Sequence, residues 1–353
     1  MESVGRAVWA EPTCFAAVET AINMGVFPFM VKKSPSTTTA EQLAVATGVE
    51  YALMCRILKH LAAMEVILEV GADEYLVTSF TRALAIKHVA DSFPHISTTA
   101  APACYSVSDF LASKGFKSPT DVADCPFQYA YKVSMPWYDW MNTQSPEVLS
   151  RFNSHMTVYH KGRPSWVDDD FYPIQDRLVK GMRDDPDSVF LVDVGGSKGQ
   201  DLEELLQKHP NIPGKLILQD QPEVVKEARP LPESVEMMGH DFLKPQPIRG
   251  ARSYYLHSIL HNWPDAECHT ILRQLAGAME PGYSKVLIND TVIPATGANW
   301  VMTAHDIMMM VVLASSERRL DEFEAMISKA GLKITGIWSH PNGVQSLIEC
   351  ELA

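Results

Sequence analysis

The chain has 353 residues, 46% of them hydrophobic, which is enough for about two domains with a sizeable buried core. Its formal net charge of −13 argues against attraction to nucleic acid, and its six scattered cysteines, with no C-x-x-C pair, argue against a disulfide framework or a zinc site and for a reducing, cytoplasmic setting. No apolar run reaches the ~18–20 residues of a membrane span, and the first turns lack the charged and apolar regions of a signal peptide, so no membrane association is expected.

Residues 12–31 read as a helix carrying Phe15, Val18, Ala21, Ile22 and Val26, ended near Gly25 and Pro28. Ser36 and three threonines form a capping region before a helix over Ala40–Thr47. After Gly48 a second helix spans Ala52–Met64, with Leu53, Ile57, Leu58 and Leu61 on one side. Val66–Val70 and Glu74–Thr78, joined through Gly71, read as a β-hairpin. Helix, turn, helix and hairpin outline a winged helix over residues 1–95. Its second helix offers only Arg56 and Lys59 to a phosphate or base, so packing or dimerisation is the expected role rather than DNA binding.

Residues 96–186 read as a mainly helical linker and lid. They are dense in large apolar side chains: Phe127, Met135, Trp137, Trp140, Met141, Phe152 and Met156, with His160 following. Such residues at helical spacing build cores, and they also permit a cover over an apolar ligand.

From residue 187 to 353 strands and helices alternate. Strands are predicted at Phe190–Val194, Lys215–Gln219, Val235–Met238, Ser253–Leu256, Lys285–Asn289, Leu332–Trp338 and Gln345–Cys350, giving an α/β domain with a largely parallel, Rossmann-like sheet. The first strand runs into Asp193-Val-Gly-Gly-Ser-Lys-Gly199 and then into a helix marked by Leu202, Leu205 and Leu206. A dinucleotide fingerprint beginning at Gly195 fails at Ser197 and Gln200, and a phosphate-cradling P-loop is absent. An acid beside a glycine turn repels phosphate and attracts an ammonium group, which suits S-adenosyl-L-methionine. Polar residues recur at the predicted strand ends: Asp193, Asp220, His240, Asp241, His257, His261 and Asp290. Ligands of such sheets lie along that edge, and Asp220 stands where a nucleoside ribose is gripped.

The series Asp193–Gly199, Leu218-Gln-Asp220, Gly239-His-Asp-Phe242, Tyr255-Leu-His-Ser-Ile-Leu-His-Asn-Trp-Pro-Asp265, Pro281–Lys285 and Asn342–Glu349 resembles the class I O-methyltransferases of the caffeate/hydroxyindole type, in the form found in fungal secondary metabolism. The resemblance covers nearly the whole chain and implies a homodimer formed through the N-terminal winged-helix module. It implies that Asp193, Gly195, Gly196, Gly199, Asp220, Asp241, Phe242, His257 and Trp263 surround S-adenosyl-L-methionine, with Asp241 and Phe242 flanking the adenine. His261 matches the general base and Glu317 an acid that holds it, while Asp290 stands where a glutamate is usual. Arg319 and Leu320 also depart from the pattern. A small aromatic or polyketide-type hydroxyl substrate is expected in a pocket completed by Met308, Met309 and Val312, and no metal is expected. The same branch includes proteins that bind the cofactor yet catalyse pericyclic or dehydration steps, and this remains the alternative.

Overall fold

The computed structural model describes residues 2–159, 162–227 and 231–353. They form two compact units, one of Met1–Pro102 and Tyr138–Lys161, the other of Ala103–Trp137 and Gly162–Ala353. The segment 96–186 is therefore shared between the units rather than standing as a linker of its own. His160, expected in the substrate pocket, lies outside the described residues.

In the first unit the predicted helix of residues 12–31 is two helices, α1 (Glu11–Asn23) and α2 (Val26–Lys33). Gly25 breaks them with a left-handed φ of 75°. Pro28 is the third residue of α2, in the first turn, where a missing N–H removes no intrahelical bond. The short strand β1 (Thr38–Thr39) leads into α3 (Ala40–Thr47), capped by Thr39 Oγ1 accepting from the Gln42 N–H while Gln42 accepts from the Thr39 N–H. Next come α4 (Tyr51–Ala63) and a hairpin of β2 (Ile67–Gly71) and β3 (Glu74–Val77), with β1 adding a third antiparallel strand in the order β1-β3-β2. Leu43, Met54, Leu58, Leu61 and Tyr75 are fully buried between helices and sheet, so truncating Leu58 to alanine removes about 2–5 kcal/mol.

The second unit is organised on seven strands, of which the five inner ones are continuous buried runs while the two edge strands, Val235–Gly239 and Leu332–Ser339, are partly exposed. In chain order these are β4 (Val189–Val194), β5 (Lys215–Asp220), β6 (Val235–Gly239), β7 (Ser253–His257) and β8 (Lys285–Asp290), and, after a separate parallel pair β9 (Val292–Ile293) and β10 (Arg318–Arg319), β11 (Leu332–Ser339) and β12 (Ser346–Leu352). Every predicted strand is present. The order is β11-β12-β8-β7-β4-β5-β6, with β4 to β8 parallel and β12 antiparallel to both neighbours. Because β4 pairs with β5 on one side and β7 on the other, the strand order reverses there, and the carboxyl ends of β4 and β7 are the position at which ligands of such sheets lie.

Around the sheet lie α5 (Pro126–Tyr131), α6 (Gln200–Lys208), α7 (Asp265–Ala278), α8 (Trp300–Leu313) and α9 (Leu320–Lys329). The α5 end is pinned to α8 by Cys125 Sγ donating to the Val311 carbonyl at 3.2 Å. On β12 the buried Glu349 accepts from Tyr172 Oη at 2.7 Å, Lys285 Nζ at 2.7 Å and Thr335 Oγ1 at 2.6 Å, and is also paired with Arg177. Among the described residues no single helix is long and apolar enough to cross a membrane.

Candidate active site

The glycine turn after β4 is shaped by contacts that no side chain could share. Gly195 has φ +78° and a Cβ there would lie 2.6 Å from Ile259 Cδ1. At Gly196 a Cβ would sit 2.2 Å from Asp193 Oδ2 and 2.5 Å from Leu218 Cδ1. Both amides donate to the Gln219 carbonyl, at 2.7 and 3.0 Å, so the turn is tied to the end of β5.

Asp220 is held from the same side: its carboxylate accepts the Ser197 and Gln221 N–H groups, each at 2.7 Å. Its own carbonyl accepts the His240 N–H at 2.8 Å, which fixes the turn after β6 beside it. There Asp241 caps the Leu243 N–H at 2.9 Å, and Phe242 meets Trp263 edge-on with centroids 5.8 Å apart. Thus Gly195, Asp220, Asp241, Phe242 and Trp263 come together at one edge of the sheet.

Asp193 is fully buried and neither carboxylate oxygen has a hydrogen-bond partner among the described residues. Burial pushes its carboxyl well above the ordinary value, as do the negative charges of Asp201 and Asp220, while His257 opposes them. Such an orphaned carboxylate beside a turn that admits no side chain fits a ligand bringing its own positive charge.

His257 supplies the local cation. Its Nδ1 lies 2.6 Å from Asp201 Oδ2 and its Nε2 3.2 Å from Gln345 Oε1. Because the Gln345 amide nitrogen donates to Ser258 Oγ at 2.8 Å, the oxygen is the atom facing the ring, so both ring nitrogens donate. Burial disfavours that charge, but Asp201, Gln345 and Asp290 overcome it and lift the pKa to about 9. Neither Asp201 nor Gln345 is among the residues singled out from the sequence.

His261, on the tight turn Leu260–Asn262 after β7, is almost fully buried, with Nδ1 2.8 Å from Glu317 Oε1. The same oxygen is bonded to Nδ1 of His305, on α8, with the two imidazoles 5.3 Å apart. Burial alone would raise the Glu317 pKa, yet the two histidines bring it down to about 2, so it is an acceptor only. Both Nδ1 atoms therefore carry protons, and a neutral ring at either position has Nε2 as its basic nitrogen. Burial works against charging His261, but the Glu317 bond and the nearby Asp290 outweigh it and raise its pKa above 6.5.

Asp290, at the end of β8, is fully buried and makes no hydrogen bond to the ring, as its short side chain implied. Its influence on His261 is electrostatic, and burial lifts its own pKa to about 6. His305 was missed from the sequence, although it stands three, four and seven residues before Met308, Met309 and Val312, the spacing of a single helix face. The cluster was also unexpected in a second sense: ligand atoms of His261, His305 and Glu317 all lie within 4.8 Å of one another, as in a metal centre.

The expected pocket residues divide between the units. Phe127, Met135, Trp137, Met308, Met309 and Val312 belong to the second, where Phe127 stacks on Tyr131 at 4.6 Å and Met309 and Val312 are buried. Trp140, Met141, Phe152 and Met156 belong to the first, with Phe152 against His95 at 5.4 Å.

A family profile described as an O-methyltransferase domain matches residues 177–333. The chain is 33% identical to the O-methyltransferase mpaG of Penicillium brevicompactum over 355 aligned positions, covering 100% of this chain and 88% of that protein. Among solved structures it is similar to one titled "A Pericyclic Reaction enzyme" (TM-score 0.91, 29% identity, 99% of this chain and 89% of that one). It is equally similar to LepI in complex with SAM (TM-score 0.91, 29% identity, 100% and 89%).

Proposed function

The chain belongs to the O-methyltransferase family, and from that premise we propose that it methylates a hydroxyl of a small aromatic or polyketide-type metabolite, with His261 as general base. The cofactor of this family, S-adenosyl-L-methionine, suits the residues present. Asp193 offers a buried carboxylate, unpartnered among the described residues, for its ammonium group, Asp220 a carboxylate for its ribose, and Asp241 and Phe242 a polar and an aromatic wall for its adenine. Gly195, Gly196 and Gly199 give the backbone close approach, and His257 and Trp263 complete the surround. When bound, the cofactor supplies an electrophilic methyl carried on a sulfonium.

The protein's part is to align the acceptor oxygen and remove its proton. Nε2 of His261 takes that proton, and Glu317 stabilises the resulting imidazolium through Nδ1. Alignment supplies up to ~7–11 kcal/mol and a placed base a further ~100- to 10,000-fold. Asp290 holds negative charge near the same ring without touching it. Within the second unit, the apolar side chains of Met308, Met309 and Val312 on α8, with Phe127, Met135 and Trp137, suit an aromatic substrate. The observation that carries the reading is the buried 2.8 Å bond between His261 and Glu317, which fixes a tautomer suited to a base.

The test is incubation with methyl-labelled S-adenosyl-L-methionine and a panel of phenols and enols, with S-adenosylhomocysteine and labelled product as readouts. His261→Ala should lose ~100- to 10,000-fold in turnover while keeping cofactor affinity, and undiminished turnover removes His261 from the mechanism. A second reading, a pericyclic or dehydration step that uses the bound cofactor as a fixed charge, is favoured by the similarity to a pericyclic reaction enzyme. Product change without label would establish it. For the N-terminal unit we favour a winged-helix dimerisation role, since Val8 and Trp9 are 61% and 73% exposed, and sedimentation as a monomer would refute it.

A further inference from the structure

We infer that His261, His305 and Glu317 together also form a binding site for Zn²⁺ or a borderline cation of the same class, and that such a cation inhibits the enzyme by taking the place of the protons that hold this cluster together.

The donor set decides the class of ion. Two imidazole nitrogens and one carboxylate oxygen favour zinc, copper, nickel or cobalt, whereas magnesium and calcium prefer all-oxygen shells. The three donors come from separate parts of the second unit: the turn after β7, helix α8 and the segment just before β10. Glu317 is anchored by its backbone N–H donating to Asp306 Oδ1 at 2.9 Å, so its main chain is fixed. Its second oxygen, Oε2, has no partner among the described residues, so rotation about the carboxylate breaks no further bond.

Charge favours the exchange. One carboxylate oxygen now receives two N–H donors, an arrangement that a single divalent cation replaces with three coordinate bonds of ~2.0–2.2 Å. The proton on each neutral ring moves from Nδ1 to Nε2, Glu317 stays ionised, and no proton is gained or lost. Buried Asp290, with both oxygens unpartnered among the described residues, adds negative charge beside the cluster. The neighbouring cation, Arg318, is already engaged by the Leu260 and Trp263 carbonyls and by Asp265, each at 2.8 Å. A metal held this way moves the His261 proton onto Nε2, the nitrogen that methyl transfer needs unprotonated, so occupancy and catalysis exclude each other.

The binding site stands on the cluster's geometry and is tested by binding, so it survives or fails independently of the methyltransferase reading, whereas the inhibitory part rests on that reading and is tested separately by turnover. Purified protein stripped with chelator is titrated with Zn²⁺ against a chromogenic zinc indicator, with Mg²⁺ as control, for the native chain, His305→Ala and Glu317→Gln. Affinity for S-adenosylhomocysteine reports that each variant is folded. The expected result is one zinc bound at micromolar concentration or tighter, no competing magnesium, and a loss of at least ~10-fold in zinc affinity in both variants. Zinc bound equally well by His305→Ala, as it would be by the half-buried Cys14, Cys55 or Cys104, overturns the inference, as does no binding at all by the native chain. If the native chain binds zinc, turnover of any accepted phenol must fall in step with zinc occupancy, and full turnover at saturation overturns the inhibitory part.

Discussion

Replacing Glu317 by glutamine keeps the side chain's shape and removes its charge, which isolates the electrostatic part of the proposed base. In the native protein this carboxylate is buried and its pKa is brought to about 2, so it is fully ionised at any assay pH. A hydrogen bond to a charged partner contributes about 1.5–3 kcal/mol against about 0.5–1.5 for a neutral one, so on the order of 1–2 kcal/mol is lost once the proton has reached His261. That corresponds to ~5–30-fold in kcat, smaller than the loss from deleting the base, because the glutamine oxygen still accepts both N–H groups and preserves the tautomer. A second readout is the acid limb of kcat/KM. Activity requires the neutral ring, so it rises with pH through the His261 pKa, which in the native protein lies above 6.5. Removing the carboxylate weakens the contact that raises it, and the limb moves to lower pH. Initial rates of S-adenosylhomocysteine formation between about pH 5.5 and 9, with chelator present, measure both. A kcat within twofold of native together with an unmoved limb, or a limb displaced to higher pH, would refute the reasoning.

Gly196→Ala puts a Cβ 2.2 Å from Asp193 Oδ2 and 2.5 Å from Leu218 Cδ1. The overpacking should cost about 1–3 kcal/mol and weaken S-adenosylhomocysteine binding at least ~10-fold by calorimetry, and native affinity would show that the turn is not the cofactor loop. Asp290→Asn should stabilise the protein at neutral pH: the folded carboxyl titrates at about 6 instead of 3.8, so ionising it removes on the order of 3 kcal/mol as pH rises through that interval. The gain should vanish near pH 3.8, and denaturant melts that show no gain at pH 7.5 would mean the charge is compensated. Glu349→Gln leaves Lys285 and Arg177 without their shared buried carboxylate and should destabilise by about 3–5 kcal/mol. That carboxyl titrates at about 2 rather than 4.5, so its contribution is fully present above 4.5 and is lost as pH falls towards 2; a destabilisation that persists at low pH would argue for a packing effect instead.

The sheet was legible because its signals are local. Val192 and Leu218 sit in apolar runs of strand length closed by acids, and Gly195 marks a turn only a glycine accommodates, so each strand could be found without knowing its neighbours. The order of the strands was less legible, since the antiparallel insertion of β12 between β8 and β11 depends on pairing partners rather than on either strand's own pattern. The first helix, read as one segment over 12–31 with its end near Gly25 and Pro28, is two, because Pro28, usually a stop, falls in the first turn of a new helix where it is tolerated.

The site follows the same division. His261 and Glu317 were found together because each lies in a motif, although 56 positions separate them. His305 and Asp201 lie in no such motif, Gln345 lies in the Asn342–Glu349 stretch but with no role attached to it, and each has an ordinary local explanation: a histidine on a Met-rich helix, an acid in a helix's first turn, an amide before a strand. Their chemistry exists only after folding, when Asp201 and Gln345 meet opposite nitrogens of His257 and His305 shares Glu317 Oε1. This bears on the choice between methyl transfer and a pericyclic step. The glycine loop and its acids have the same proposed role, holding the cofactor, in either case, so the backbone motifs cannot decide it. The protonation of two imidazoles can, since His257 is held as a fixed cation by two acceptors whereas His261 faces one carboxylate and keeps Nε2 as a base. A protein that used its cofactor only as a charge would gain nothing from maintaining that second tautomer at the cost of burying Glu317, and it is this asymmetry between neighbouring histidines that weighs towards proton removal.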